Sequence, residues 1–156
     1  MLKSPFHLLH LSAIRRVLPN ARYINLVRRS EHAVSSFLYL LGRNHWALYG
    51  KPLPPSSRAQ WIRVLSQIAG ESIAIASDRR CTTVHYEALA RDPVATTGQL
   101  LGTFGRAMSG RHRSACAHWL NHAEVKRRGS GPTTKDEVSH LEVTDEMREY
   151  NRYFGL

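Results

Sequence analysis

The residues best suited to chemistry lie between positions 24 and 36. There the short apolar run Ile24-Asn25-Leu26-Val27 gives way to Arg28-Arg29-Ser30 and then to a helical pattern that carries Ser36. A strand that ends in guanidinium groups and feeds a helix N-terminus is suited to an anion. First-turn N–H groups have no partner inside the helix, the helix dipole favours negative charge, and the arginine fork fits phosphate. The same arginines would equally serve as a solvated rim at the end of a strand, so spacing alone leaves both readings open.

The surrounding elements must hold this junction in place. Ser4-Pro5 opens a helix by cap and first-turn chemistry, and Leu8, Leu11, Ile14 and Val17 recur along one face before Pro19-Asn20 ends it. A strand is expected over residues 22–27 and a second over residues 82–86. After Ser30 as a cap, Ala33, Val34, Phe37, Leu38 and Leu41 mark the buried side of a helix expected to stop near Gly42. Residues 43–57, with Gly50 and a cluster of prolines, read as a loop or lid bordering an acceptor pocket. Residues 58–76 read as helical in their first part, through Trp61, Leu65 and Ile68. Asp92-Pro93 is the clearest helix start, closed by Gly105 after Phe104. Residues 111–124 form a further helical pattern, followed by a basic run and a glycine-rich turn. Thr144 caps a last helix whose inward face is Met147, Tyr150 and Phe154.

Other chemistries find less support. Gly50-Lys51 is followed by Pro52 and lacks the earlier glycine of a phosphate-binding loop, and no Gly-x-Ser-x-Gly elbow occurs. His118 and His122 stand one helical turn apart with Cys116 nearby, but no third ligand is placed by spacing, so no metal site is expected. Cys81 and Cys116 form no CxxC pair and read as buried or idle thiols. The 156 residues suit one domain, and the formal charge of +10, from 22 Lys and Arg against 12 Asp and Glu, favours an anionic partner. No apolar run approaches bilayer length and no secretory signal pattern is present, so a cytoplasmic location is expected. A basic nucleic-acid-binding module is disfavoured, because the arginines are dispersed and no helix-turn-helix or aromatic RNA-binding block is visible.

Successive blocks along the chain resemble a known family. Lys3-Ser4-Pro5-Phe6-His7-Leu8, Leu18-Pro19-Asn20-Ala21-Arg22, Arg28 through Ser36, and His85-Tyr86-Glu87-Ala88-Leu89-Ala90-Arg91-Asp92-Pro93 with Phe104-Gly105 are similar to blocks of the sulfotransferases. Those enzymes use 3′-phosphoadenosine 5′-phosphosulfate (PAPS), and the likeness is to the bacterial branch.

The resemblance implies an α/β fold, a parallel sheet flanked by helices of the P-loop-kinase-like sulfotransferase type. It implies that residues 1–156 form a single partial sulfotransferase domain, incomplete at the N-terminus. It carries the 3′-phosphate ligands of PAPS or adenosine 3′,5′-bisphosphate onto Arg28 and Ser36, and a place near the adenine onto Tyr86. Arg127-Arg128-Gly129 is similar to the loop that closes the nucleotide site in the cytosolic branch, and it reads equally as a solvated basic helix end. Lys3 falls on the start of the block that supplies the catalytic base. Pro5 takes the place of the family histidine, and His7, two residues later, is the candidate base, its alternative being a surface or cap residue. Where the family block reads Arg-Asp-Pro or Arg-Asn-Pro, this chain has Arg28-Arg29-Ser30. It also lacks the Pro-Lys/Arg-Ser-Gly-Thr-Thr loop that wraps the 5′-phosphosulfate. The expected function is sulfuryl transfer from PAPS to an unknown acceptor hydroxyl or amine if that loop is supplied. The alternative is a degenerate, non-catalytic homologue that binds nucleotide or acts as a partner subunit, as a homo-oligomer or with a complementary chain.

Overall fold

The computed structural model describes residues 5–118 and 143–156. A 3-10 segment, Pro5–His10, runs into helix α1 (Leu11–Val17), and strand β1 (Tyr23–Val27) follows. Two long helices, α2 (Ser30–Tyr49) and α3 (Pro55–Ala76), lead to strand β2 (Cys81–His85). Then come α4 (Tyr86–Arg91), α5 (Pro93–Thr103), a helical stretch α6 over residues 110–118, and α7 (Asp145–Phe154).

The expected sheet is corrected by this architecture. Among the described residues the sheet has two strands, β1 and β2, paired in parallel with Tyr23 opposite Cys81 and Val27 opposite His85. Most of the rest is helix, so the fold is a helical assembly around one parallel pair rather than a broad parallel sheet flanked by helices. The physical reason is local. Only residues 22–27 and 82–86 read as strands, and the intervening segments carry the 3.6-residue apolar period that commits a chain to helix.

Several boundaries also shift. Helix α2 passes through Gly42 and ends at Gly50, whose φ of 63° terminates it with its N–H on the Trp46 carbonyl at 2.8 Å. An interior glycine costs about 1 kcal/mol against alanine. Residues 43–49 contain no proline, so the expected loop is helical until Gly50 and Pro52 break it. Arg29, not Ser30, occupies the cap position of α2, and Ser30 is buried as its first residue. Helix α3 is continuous to Ala76, and β2 ends at His85, which puts Tyr86 at the head of α4. The start of α5 is as read from sequence: Asp92 Oδ1 accepts from the Ala95 N–H at 2.9 Å, with Pro93 in the first turn. Gly105 at φ 66° follows its end, and the Arg106 N–H returns to the Leu101 carbonyl at 2.9 Å. Thr144 caps α7 through Oγ1 to the Met147 N–H at 3.4 Å.

The core lies where β1, α2, α3 and α7 meet. Val27, Val34, Ala69, Met147 and Tyr150 are buried together, flanked by Leu38, Ile62, Leu65, Ile73 and Phe154. Helix α3 turns the small residues Ser66, Ala69 and Ser72, together with Ile75, inward, while Trp61, Leu65 and Ile68 are only half-buried. Small side chains let the helix approach β1 closely enough for polar bonds. Ser72 donates to Asn25 Oδ1 at 2.9 Å, and Asn25 Nδ2 donates to the Ser72 carbonyl at 3.1 Å, so neither buried group is orphaned. Phe6 packs against Phe37 and Trp61 and seats the 3-10 segment on α2 and α3.

At the far end, Asp78 binds α1 to the start of β2. It accepts from Arg15 Nη2 at 2.7 Å and from Arg80 Nη2 and its backbone N–H, both at 2.9 Å. These bonds, those of Arg80 foremost, hold the Asp78 carboxyl well below the usual carboxylate range. A depressed carboxylate stabilises the fold above its unfolded pKa and loses that contribution as pH falls toward the folded value. Asp78→Asn is therefore expected to lower Tm at neutral pH. The difference from wild type should narrow below about pH 4, as thermal melts across that range will show. Met147→Ala, a large-to-small change at a fully buried site, is expected to cost about 2–5 kcal/mol in urea unfolding.

Candidate functional site

The junction of β1 and α2 is built from chain segments far apart in sequence. The Arg28 N–H donates to the Tyr150 hydroxyl at 3.1 Å, the Arg29 N–H to Glu87 Oε1 at 3.4 Å, and the Ser30 N–H to Asn151 Oδ1 at 3.0 Å. Three consecutive backbone donors are thus occupied, two by α7 and one by α4. Asn151 also donates to both oxygens of Glu31, at 3.0 and 3.1 Å. Glu31 sits in the first turn of α2, where its charge complements the helix dipole. Of the first-turn donors expected to be free for an anion, that of Ser30 is spent on the fold's own closure.

The Arg28 guanidinium remains available. It lies over the Tyr86 ring with its central carbon 4.7 Å from the ring centroid. Among the described residues no carboxylate pairs with it, and its Nε is buried without a hydrogen-bond partner. Glu87 Oε2 is likewise buried and unpartnered. Arg28, His32, Tyr86, Glu87, Ala90 and Arg91 line one open cleft of ≈ 390 Å³. It therefore combines an orphan donor, an orphan acceptor, a second guanidinium and an imidazole, which suits a ligand bearing both an anionic group and hydroxyl or amino donors. Burial pushes the Tyr150 phenol up, so it stays neutral while holding the Arg28 backbone.

The structure brings Arg28 and Tyr86 together, but it stacks them on each other, so the arginine covers one ring face. Ser36 lies one helical turn beyond His32 on the same stripe of α2, exposed, and does not line the cleft. His7 is half-buried in the 3-10 segment and does not line it either. Lys3, Arg127, Arg128, Gly129 and His122 lie outside the described residues. Cys116 is half-buried and in contact with Thr97, and no group of three metal-ligating side chains occurs among the described residues. His32, Glu87 and Arg91 were missed by motif reading. The signal for the α4 residues was helical spacing, since Glu87, Ala90 and Arg91 share one face of α4, whereas His32 lies in the first turn of α2 just after the strand end.

The profile described as the sulfotransferase family matches residues 1–110, which contain the whole lining of this cleft. The chain belongs to the sulfotransferase family. No curated protein and no solved structure matches it. Among the described residues no helix is long and apolar enough to cross a membrane. Within this sulfotransferase-family chain, the arrangement around Arg28 rests on α7, which lies beyond the matched region. Tyr150→Phe leaves the Arg28 N–H without its acceptor. It is expected to cost about 1–3 kcal/mol in chemical unfolding, with little change in secondary structure by circular dichroism.

Proposed function

We propose that this chain is a single domain that binds the 3′-phosphoadenosine end of PAPS or of adenosine 3′,5′-bisphosphate in the cleft at Arg28. The carrying observation is the Arg28 guanidinium at this cleft, whose Nε has no hydrogen-bond partner and which forms no ion pair with a carboxylate among the described residues. A phosphate oxygen supplies the acceptor that this group lacks, Arg91 adds positive charge at the same cleft, and the His32 ring offers a nitrogen for hydrogen bonding. Glu87, with its own unpartnered oxygen, offers an acceptor for a ribose hydroxyl or the adenine amino group. Ser36 would join the phosphate only if the ligand extended one turn along α2, so its part is secondary to that of Arg28. Tyr86 would meet the nucleotide through the ring face that Arg28 leaves uncovered or through its edge.

Bound PAPS would bring the sulfuryl group to be transferred. The chain's own contribution in this reading is to anchor the opposite end of the nucleotide by charge and hydrogen bonds. The sequence contains no Pro-Lys/Arg-Ser-Gly-Thr-Thr stretch to hold the 5′-phosphosulfate. The proposal is accordingly nucleotide binding with little or no transfer by this chain alone. Partnership with a complementary chain is a second reading, favoured by the narrow sheet. Ile24 and Leu26 are 48% and 51% exposed on one face of β1, an apolar surface that another element could cover.

Titration calorimetry with adenosine 3′,5′-bisphosphate tests the nucleotide site. Wild-type chain is expected to bind, and Arg28→Ala to weaken binding by about 1.5–3 kcal/mol, the range for a hydrogen bond to a charged group. Arg28→Lys should restore only part of it, because the planar fork is lost. No heat from wild type, or equal affinity in Arg28→Ala, would reject the site.

A further inference from the structure

Between Glu31 and Glu71 the sequence contains no carboxylate, yet it carries Arg43, Lys51, Arg58 and Arg63. This stretch forms nearly all of α2, the turn at Gly50 and the larger part of α3. Its outer end is bare. From residue 43 to 52 every residue except His45 is exposed, and Trp46, Leu48 and Tyr49 are 60%, 75% and 65% exposed. Tyr39 and Leu40 continue the apolar surface toward the body of the protein. Tyr39, Arg43 and Trp46 fall at i, i+4 and i+7, one stripe of the helix.

The tip is nonetheless an ordered structure. His45 Nδ1 meets the Lys51 carbonyl at 2.9 Å, the His45 and Tyr49 rings approach to 4.7 Å between centroids, and Gly50 turns the chain at φ 63°. A fixed helix end that holds three large apolar side chains in water is a surface made for contact. The charge pattern selects the partner, since Arg43, Lys51 and Arg58 are exposed with no acidic residue between them. A polynucleotide would satisfy the cations and leave Leu40 and Leu48 wet. An anionic phospholipid surface satisfies both. Trp and Tyr sit at headgroup depth, leucines reach the acyl boundary, and Arg and Lys extend to the phosphates.

We propose that the α2–α3 corner, centred on Trp46, Leu48 and Tyr49 with Arg43, Lys51 and Arg58, docks this protein on anionic phospholipid membranes. The contact is peripheral and independent of the Arg28 cleft.

Cosedimentation of the full chain with phosphatidylcholine vesicles, with and without phosphatidylserine, tests the proposal. Binding is expected only with phosphatidylserine, and it should fall as salt rises. Arg43→Gln and Lys51→Gln should each weaken it about fivefold, and Trp46→Ala combined with Leu48→Ala by about tenfold or more. All four side chains are exposed, so circular dichroism should show unchanged folding. Arg28→Ala should bind vesicles as wild type does, which separates this surface from the nucleotide site. Equal binding to both vesicle types, or undiminished binding by the Trp46→Ala, Leu48→Ala chain, would overturn it. Two further outcomes would also do so. One is tighter binding to duplex DNA that ignores Trp46 and Leu48, which marks a polynucleotide surface. The other is a dimer that the same double variant converts to monomer without any vesicle binding, which marks contact between two copies.

Discussion

The capture of the β1–α2 junction by α7 is the constraint on which the rest depends. Tyr150 and Asn151 accept from the Arg28 and Ser30 N–H groups, and Met147, one turn earlier, fills the core beside Val27. Without these partners the strand end would carry buried donors with nothing to bond, at about 1–3 kcal/mol each. The same contacts decide the character of the cleft. They occupy the N–H groups of Arg28 and Ser30 and leave the guanidinium of Arg28 without a carboxylate partner at the cleft. An anion in the cleft is met by a guanidinium stacked on an aromatic ring.

A two-stranded parallel pair is a slender scaffold, and its stability is drawn from the helices laid against it. Helix α3 is the main support. Its buried face carries Ser66, Ala69 and Ser72 beside Ile75, and the small residues let Ser72 reach Asn25 on β1 and Ser66 reach Thr144 at the head of α7. Expecting a broader sheet followed from family likeness, whereas the strand-like segments of the sequence were already limited to the pair observed. The narrow sheet leaves Ile24 and Leu26 open on one face, and the long helices project a bare, cationic corner.

Arg28 was legible from its position between an apolar run and a helical pattern, because strand ends and helix starts carry strong local chemistry. Asp92-Pro93, Gly105 and Thr144 were legible for the same reason, each acting through hydrogen bonds within four or five residues. Gly42 misled because glycine is a statistical stop whose modest cost a long helix absorbs. His32, Glu87 and Arg91 were not legible as a group. They meet only because parallel pairing of β1 and β2 sets the first turns of α2 and α4 side by side at the same end of the sheet. Ser36 and His7 were assigned by likeness, and the cleft's lining includes neither.

By itself the sequence determined the family, the positive charge, the two strands, the helix starts at Asp92-Pro93 and Thr144, and the arginine at the strand end. The family follows from the likeness of successive sequence blocks, and the rest from composition, periodicity and short-range capping, which the chain encodes locally. Tertiary structure alone decided which donors at that strand end stay free, which side chains surround the arginine, and which apolar residues remain in water. Those outcomes depend on α7 returning across the whole length of the chain to bond with β1, a contact that no local pattern specifies.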